Sequence, residues 1–362
     1  MKKSLTKKLS DNRLINSLVQ LFFDITLKIV RTIYKIFGKK GETVCVISIH
    51  KLGDSIFTFN AINSIKKFYN KDVYILCHYN AKEIYKLIHP ENMIIPIPKE
   101  CFHFNDRYLG SKARKLLKSL NPEIIIDLTG VMTSVSLIFN SKAKKIIGMN
   151  RKLFRSIFDE FIELNTNLNS LEIYNNAIKN LIPIHPIEIN SNEFKTSIKR
   201  ILIFPFAGWK SKEWGLGKFI RLAERIKDDY EVEFVFDDTF ISNEILNYLN
   251  EKNINFTVSK TIKDLIDKIN SSDLVIGNDS GPSQIAAYLG KRTFSIYGPT
   301  NPDFHLVIGK QNKFIQKKIA CSPKENERLC FTDGGKSGCP SFECMNLLTV
   351  NEVFNYLKSE VL

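Results

Sequence analysis

Asn278-Asp279-Ser280-Gly281 is a polar, glycine-bearing turn set between two runs of opposite kind. Before it, Asp273 to Ile276 reads as a short buried strand. After it, Ser280 to Leu289 has helical spacing. Where a parallel strand hands over to a helix, free backbone N–H groups and the positive end of the helix dipole meet, which suits a phosphate. In open α/β sheets, ligands sit outside the carboxyl ends of the strands. Three other segments carry candidate chemistry. In His50-Lys51-Leu52-Gly53-Asp54-Ser55, Gly53 lets backbone pass close to a ligand. Asp54 has two readings: a carboxylate that takes a proton from an attacking hydroxyl, or the N-cap of the next helix. Lys210 and Lys212 lie in the loop Trp209 to Trp214, either to neutralise a diphosphate or as solvated charges. Asp237-Asp238 ends another apolar run. An acid there hydrogen-bonds ribose hydroxyls in nucleotide-binding units, or it caps a helix. Neither G-x-G-x-x-G nor G-x-x-x-x-G-K-[ST] occurs, so a dinucleotide fingerprint and a P-loop are not supported. The histidines are few and scattered, which argues against a Ser/His/Asp relay and a His-rich metal site.

The elements that must position these residues alternate. Strands are predicted at Thr43–Ile49, Val73–Cys77, Met93–Ile97, Ile124–Leu128 and Lys145–Gly148, with helices at Ser55–Phe68, Ala81–Ile88 and Ala113–Leu120 between them. Residues 165–198 are rich in Asn, Pro and Ile; regular structure is expected to weaken there. The alternation restarts with strands Ile201–Phe204, Val232–Phe236, Asp273–Ile276 and Thr293–Tyr297. Its helices are Leu216–Ile226, Ile241–Leu249, Ile262–Ile269 and a final Val350–Leu362. Such alternation predicts α/β units with parallel sheets. The 362-residue length predicts two of them. The expected organisation is a basic amphipathic helix (1–40), a first Rossmann-like domain (41–180), a linker (181–198), a second Rossmann-like domain (199–345) and a C-terminal helix (346–362); the resemblance described below implies that the first takes the acceptor and the second the donor.

The net charge of +14 is uneven. Residues 1–40 hold ten Lys/Arg against Asp11 and Asp24, and the other 322 residues share only +6. Within that tail Leu14, Leu18, Leu21, Phe22, Ile25, Ile29, Ile33 and Ile36 recur at helical steps, while Lys28, Arg31, Lys35, Lys39 and Lys40 fall elsewhere. Asp24 and Lys28 break the run as a bilayer span, and no secretory cleavage site is present. A helix lying on an anionic membrane is the functional reading; a helix docked on the body or on a partner is the other. Charge carried on an apolar-faced helix, without interleaved aromatics, argues against nucleic acid. Of seven cysteines, Cys321, Cys330, Cys339 and Cys344 crowd the last part of the chain. Without a paired C-x-x-C they read either as a structural metal set or as reduced thiols in a cytoplasmic setting.

Taken in order, four blocks resemble glycosyltransferase family 9, the ADP-heptose:lipopolysaccharide heptosyltransferases, and most of all the heptosyltransferase II-like branch. They are Lys51-Leu52-Gly53-Asp54 with Thr58; Pro205 to Trp214; Asn278 to Gly281 with Ala286-Ala287 and Gly298-Pro299-Thr300; and the cysteine-bearing tail ending Cys344-Met-Asn-Leu-Leu-Thr. The resemblance spans about residues 43–355. It implies a GT-B architecture, two Rossmann-like domains facing across a cleft, and an inverting transfer that needs neither metal nor cofactor. Asp54 would be the general base, with Lys51 and Gly53 on the acceptor side. Lys212, Asp237, Asp279, Ser280, Gly281 and Gln284 would hold the donor, an ADP-activated heptose. The implied acceptor is an anionic lipid-linked saccharide at the cytoplasmic surface of the inner membrane. Two departures stand out: Lys51 replaces Arg or Ser-Met, and Gln284 replaces a usual His. Gln284 can donate a hydrogen bond but carries no proton. Two alternatives remain, another nucleotide sugar such as a UDP-sugar, and an inactive membrane-docked scaffold, against which Asp54 and Lys212 argue.

Overall fold

In a computed structural model the structure describes residues 13–38, 41–187, 197–237, 241–306, 309, 311–330, 339 and 341–362. The chain divides into two compact units. One comprises Met1–Lys51, Thr58–Asn165 and Ile173–Pro186; the other comprises Leu52–Phe57, Thr166–Glu172 and Ile187–Leu362. Half of the expected linker 181–198 (residues 188–196) lies outside the described residues, as do Lys39, Lys40, Asp238 and Thr239.

The first unit is built on six parallel strands: β1 (Thr43–Ser48), β2 (Val73–His78), β3 (Ile94–Ile97), β4 (Pro122–Asp127), β5 (Lys145–Met149) and β6 (Glu160–Ile162). Their order is β3-β2-β1-β4-β5-β6. The second unit repeats the plan with β7 (Arg200–Phe204), β8 (Glu231–Asp237), β9 (Asn255–Ser259), β10 (Leu274–Asn278), β11 (Arg292–Tyr297) and β12 (Asn312–Gln316). Its order is β9-β8-β7-β10-β11-β12. This is the Rossmann order in both, so the expected fold class of two parallel-sheet α/β units is what the chain adopts. The central strands are unbroken apolar runs, as helix-covered parallel sheets require: Val44 to Ile47 and Leu274 to Ile276 are wholly inaccessible. In each unit the order of strand addition switches from one side of the first strand to the other at the fourth strand, which stays parallel to it. The loops leaving β7 and β10, Pro205–Gly215 and Asp279–Ser280, therefore flank the switch point of the second sheet.

Three expectations are corrected. The helix read over Ser55–Phe68 is two helices, Leu52–Ile56 and Phe59–Phe68. The break falls at Thr58, a buried side chain whose hydroxyl is drawn to Ser48 Oγ (3.4 Å) and the Tyr85 hydroxyl (3.3 Å). Within 165–198 one segment departs from the expected weakening: Ser170–Ile178 is helical, packing Ile173, Ala177 and Ile178 inward, and no helix or strand follows it among the described residues up to Lys199. Finally, Asp54 is no N-cap. It sits inside the first turn of Leu52–Ile56 and is exposed, while Thr58 holds the N-cap of the following helix.

The N-terminal helix, Arg13–Ile36, docks on the first unit by its less apolar face. Leu27 and Arg31 are buried there. Arg31 donates to the carbonyls of Ser141 (3.3 Å) and Ala143 (2.8 Å) and pairs with Asp159, which Lys35 also binds (2.7 Å). Asp24 accepts from Ser156 Oγ at 2.7 Å.

Candidate active site

The turn after β10 is tied down by its own side chains. Asn278 is fully buried; its side-chain Oδ1 accepts from the Trp214 backbone N–H (3.0 Å) and its Nδ2 donates to the Pro205 carbonyl (2.8 Å). One asparagine thus fastens the β7 loop to the end of β10. Ser283 Oγ closes the turn on the Asn278 carbonyl at 2.9 Å. A side chain at Gly277 would stand 3.0 Å from the Phe204 carbonyl, so the two strand ends approach as closely as glycine allows.

Asp279 and Lys212 meet within this frame. Asp279, 5% exposed, accepts from Lys212 Nζ at 2.5 Å and from Thr300 Oγ1 at 2.7 Å. Burial alone would raise its carboxyl, but the charges of Lys212 and His305 and these two hydrogen bonds outweigh it and hold the group below the ordinary aspartate value. The Lys212 ammonium also lies 4.5 Å from the centre of the Trp209 ring, a cation–π contact. Lys212 is therefore a cation fixed in place between an acid and an indole.

Ser280 follows in extended conformation as the N-cap of the helix Gly281–Tyr288, with Pro282 in its first turn. First-turn N–H groups have no partner inside their own helix. The Ser280 hydroxyl is buried and finds no hydrogen-bond partner among the described residues. The helix Leu52–Ile56 packs against Gly281–Tyr288. The contact runs through glycine: a Cβ on Gly53 would stand 3.2 Å from Gly281 Cα. Asp54 is carried in that same short helix. An exposed carboxylate, a fixed ammonium and a helix N-terminus whose Ser280 hydroxyl has no partner among the described residues all belong to the second unit. Together they can take up a proton and stabilise a departing anion.

Other expected residues fall differently. Gln284 is 6% exposed and spends its amide on the His305 carbonyl (2.7 Å). Asp237 ends β8, two places from β10 in the sheet, and is exposed. Lys51 is exposed and belongs to the first unit. The four late cysteines are free thiols. Burial first, then the neighbouring cysteines, raises Cys330 and takes Cys344 to about 11. Among the described residues no three His, Cys, Asp or Glu side chains are arranged to hold a metal ion.

Sequence reasoning did not single out His305, at the end of the short helix Pro302–His305. Its Nδ1 lies 3.5 Å from Ser170 Oγ, which also accepts from Arg328 at 2.5 Å. Nothing in the local sequence marks these residues; they come from the start of the helix Ser170–Ile178, the segment between β11 and β12, and the segment after β12. Burial lowers the His305 imidazole to about 4, with Asp279 opposing and Lys212 and Arg328 adding to the effect. The folded state thus favours the neutral ring. Between pH 6.5 and 4 the unfolded chain binds the extra proton, so stability is complete above pH 6.5 and falls on acidification. We expect the urea midpoint of unfolding to drop between pH 7 and 4.5. His305→Gln should remove on the order of 2 kcal/mol of that pH dependence. His78 and His89 are also lowered, chiefly by burial, and leave a residual slope. An unchanged slope in the variant would show that His305 titrates normally.

Residues 168–332 match the sequence pattern of Glycosyltransferase family 9 (heptosyltransferase). The match covers a little less than half of the chain. Curated relatives agree: lipooligosaccharide heptosyltransferase 2 of Campylobacter jejuni serotype O:6 is 33% identical over 135 residues, 34% of this chain and 42% of that protein. The chain thus aligns with less than half the length of the curated relatives it matches. Solved structures share the fold over far more of it. A family 9 glycosyl transferase from Veillonella parvula superimposes with a TM-score of 0.69 at 16% identity, covering 88% of this chain and 96% of that one. The E. coli ADP-heptose LPS heptosyltransferase II does so with 0.64 at 17%, covering 88% and 98%.

Proposed function

We propose that the protein is an inverting, metal-independent glycosyltransferase that moves a heptose from an ADP-sugar to an anionic, lipid-linked lipopolysaccharide core acceptor at the cytoplasmic surface of the inner membrane. The observation that carries this reading is Lys212, held by Asp279 and Trp209 beside the N-terminus of Gly281–Tyr288. In this scheme Asp54 takes the proton of an acceptor hydroxyl. The freed oxygen attacks the anomeric carbon, the bond from that carbon to the diphosphate oxygen breaks, and ADP leaves. One displacement inverts the configuration. Lys212, the Gly281 helix N-terminus and the Ser280 hydroxyl meet the charge that develops on the leaving oxygen. The charge balance needs no metal ion. Lys51 and Gly53 are assigned to the acceptor side, Gln284 and Asp237 to the donor.

Gln284 in place of the family's usual His supports one further reading, the same chemistry with a different nucleotide sugar. Calorimetric titration of the protein with ADP, UDP, GDP and CMP separates them. Selective ADP binding is expected. Selective UDP binding would move the donor and keep the mechanism. No binding by any of the four would overturn the transferase reading in favour of a scaffold.

A further inference from the structure

The docked N-terminal helix leaves its most apolar stripe uncovered. Leu21, Phe22, Ile25, Ile29, Ile33, Ile36 and Phe37 are each between 47% and 73% exposed. Ile25, Ile29 and Ile33 recur every fourth residue and line a shallow groove with Lys28 and Thr32. A second groove, of about 810 Å³, runs between this helix and the turn Lys152–Ile157; Lys28, Lys35 and Arg155 line it with Ile36, Phe158 and Phe161. The acids nearby are already bound. Asp159 pairs with Arg31 and Lys35, and Asp24 accepts from Ser156. The resulting surface is apolar along one line and cationic beside it. Ahead of it in the sequence, residues 1–12 add Lys2, Lys3, Lys7 and Lys8 against Asp11 alone.

We propose that this face is a docking surface for an anionic lipid bilayer, with the isoleucine stripe among the upper acyl segments and the Lys28–Arg155 groove on lipid phosphates. The charge decides the occupant. Two copies of the chain meeting on the stripe would set Lys28 against its own kind, whereas anionic headgroups complement it. No helix among the described residues is long and apolar enough to cross a membrane. A helix lying in the interface is the mode that exposed isoleucines beside lysines favour. Because Arg31 anchors the opposite face, the stripe is presented by a docked helix, so the first unit meets the bilayer in one orientation. This goes beyond the transferase reading, since the test needs neither donor nor acceptor.

The experiment is sedimentation of the full chain with phosphatidylcholine vesicles and with vesicles containing one third phosphatidylglycerol. Preference for the anionic vesicles by about tenfold or more, weakened by salt, is expected. Ile29→Asp with Ile33→Asp should lower binding at least about tenfold at unchanged ellipticity and ADP affinity. Lys28→Glu with Arg155→Glu should abolish the preference for anionic lipid. Equal sedimentation of the isoleucine variant, or no sedimentation of the native chain, would overturn the proposal. A native dimer that becomes monomeric in the isoleucine variant without vesicle binding would assign the stripe to self-association instead.

Discussion

Replacing Asp54 by asparagine is expected to lower sugar transfer by about 10²–10⁴-fold, the range lost when a general base is removed. ADP affinity should stay within about twofold of the native value, since the proposed donor contacts lie on other residues. The geometry makes this discriminating. Asp54 is exposed within the first turn of Leu52–Ile56, and no side-chain cap of either adjacent helix depends on it. Asparagine keeps size and helix position and removes only the basic oxygen. A loss of transfer with unchanged unfolding therefore reports chemistry. Transfer that survives the substitution would remove Asp54 from the mechanism.

The second large effect is expected at Lys212. Lys212→Met leaves the Asp279 carboxylate buried with Thr300 as its remaining side-chain donor. Breaking a buried pair from one side costs about 3–5 kcal/mol, because the other charge stays in a poor solvent. Donor binding should disappear with it. Lys212→Met combined with Asp279→Asn removes both charges and should recover most of the stability without recovering ADP binding. That divergence separates the structural part of the pair from its part in holding the nucleotide. Urea unfolding and nucleotide titration on the three variants read the two quantities. If the double variant binds ADP normally, Lys212 is a structural cation only.

The central strands were legible because helix-covered strands must be apolar at every position: Val44–Ile47 and Leu274–Ile276 admit no other reading. The edges were harder. Glu160–Ile162, Asn255–Ser259 and Asn312–Gln316 all lie at sheet edges, where only part of each strand is buried, and their polar residues hid them. The break at Thr58 was invisible for a different reason, since it depends on Ser48 and Tyr85 from other elements. At the candidate site, the turn Asn278–Gly281 announced itself through residue types alone. The bond from Lys212 to Asp279 did not, because 67 residues separate the partners. Asp279 was expected only as one of the residues that hold the donor. Its place under Lys212 gives it another task, fixing the cation. His305 carried no local signal at all and matters only through what packs around it.

The two tryptophans of the chain are Trp209 and Trp214. Trp214 lies in the hydrophobic core of the second unit and Trp209 lies against Lys212. Intrinsic indole emission is therefore blind to the sheet that carries the N-terminal helix. Within the other unit it is two reporters in one spectrum: a buried ring that records cooperative loss of the core, and a half-buried ring that records whatever replaces or perturbs its lysine neighbour. A fluorescence melt of this protein will look like a single transition even when the first unit has already opened. Only a probe that sees both halves, such as far-ultraviolet ellipticity followed on the same sample, can tell one unfolding event from two.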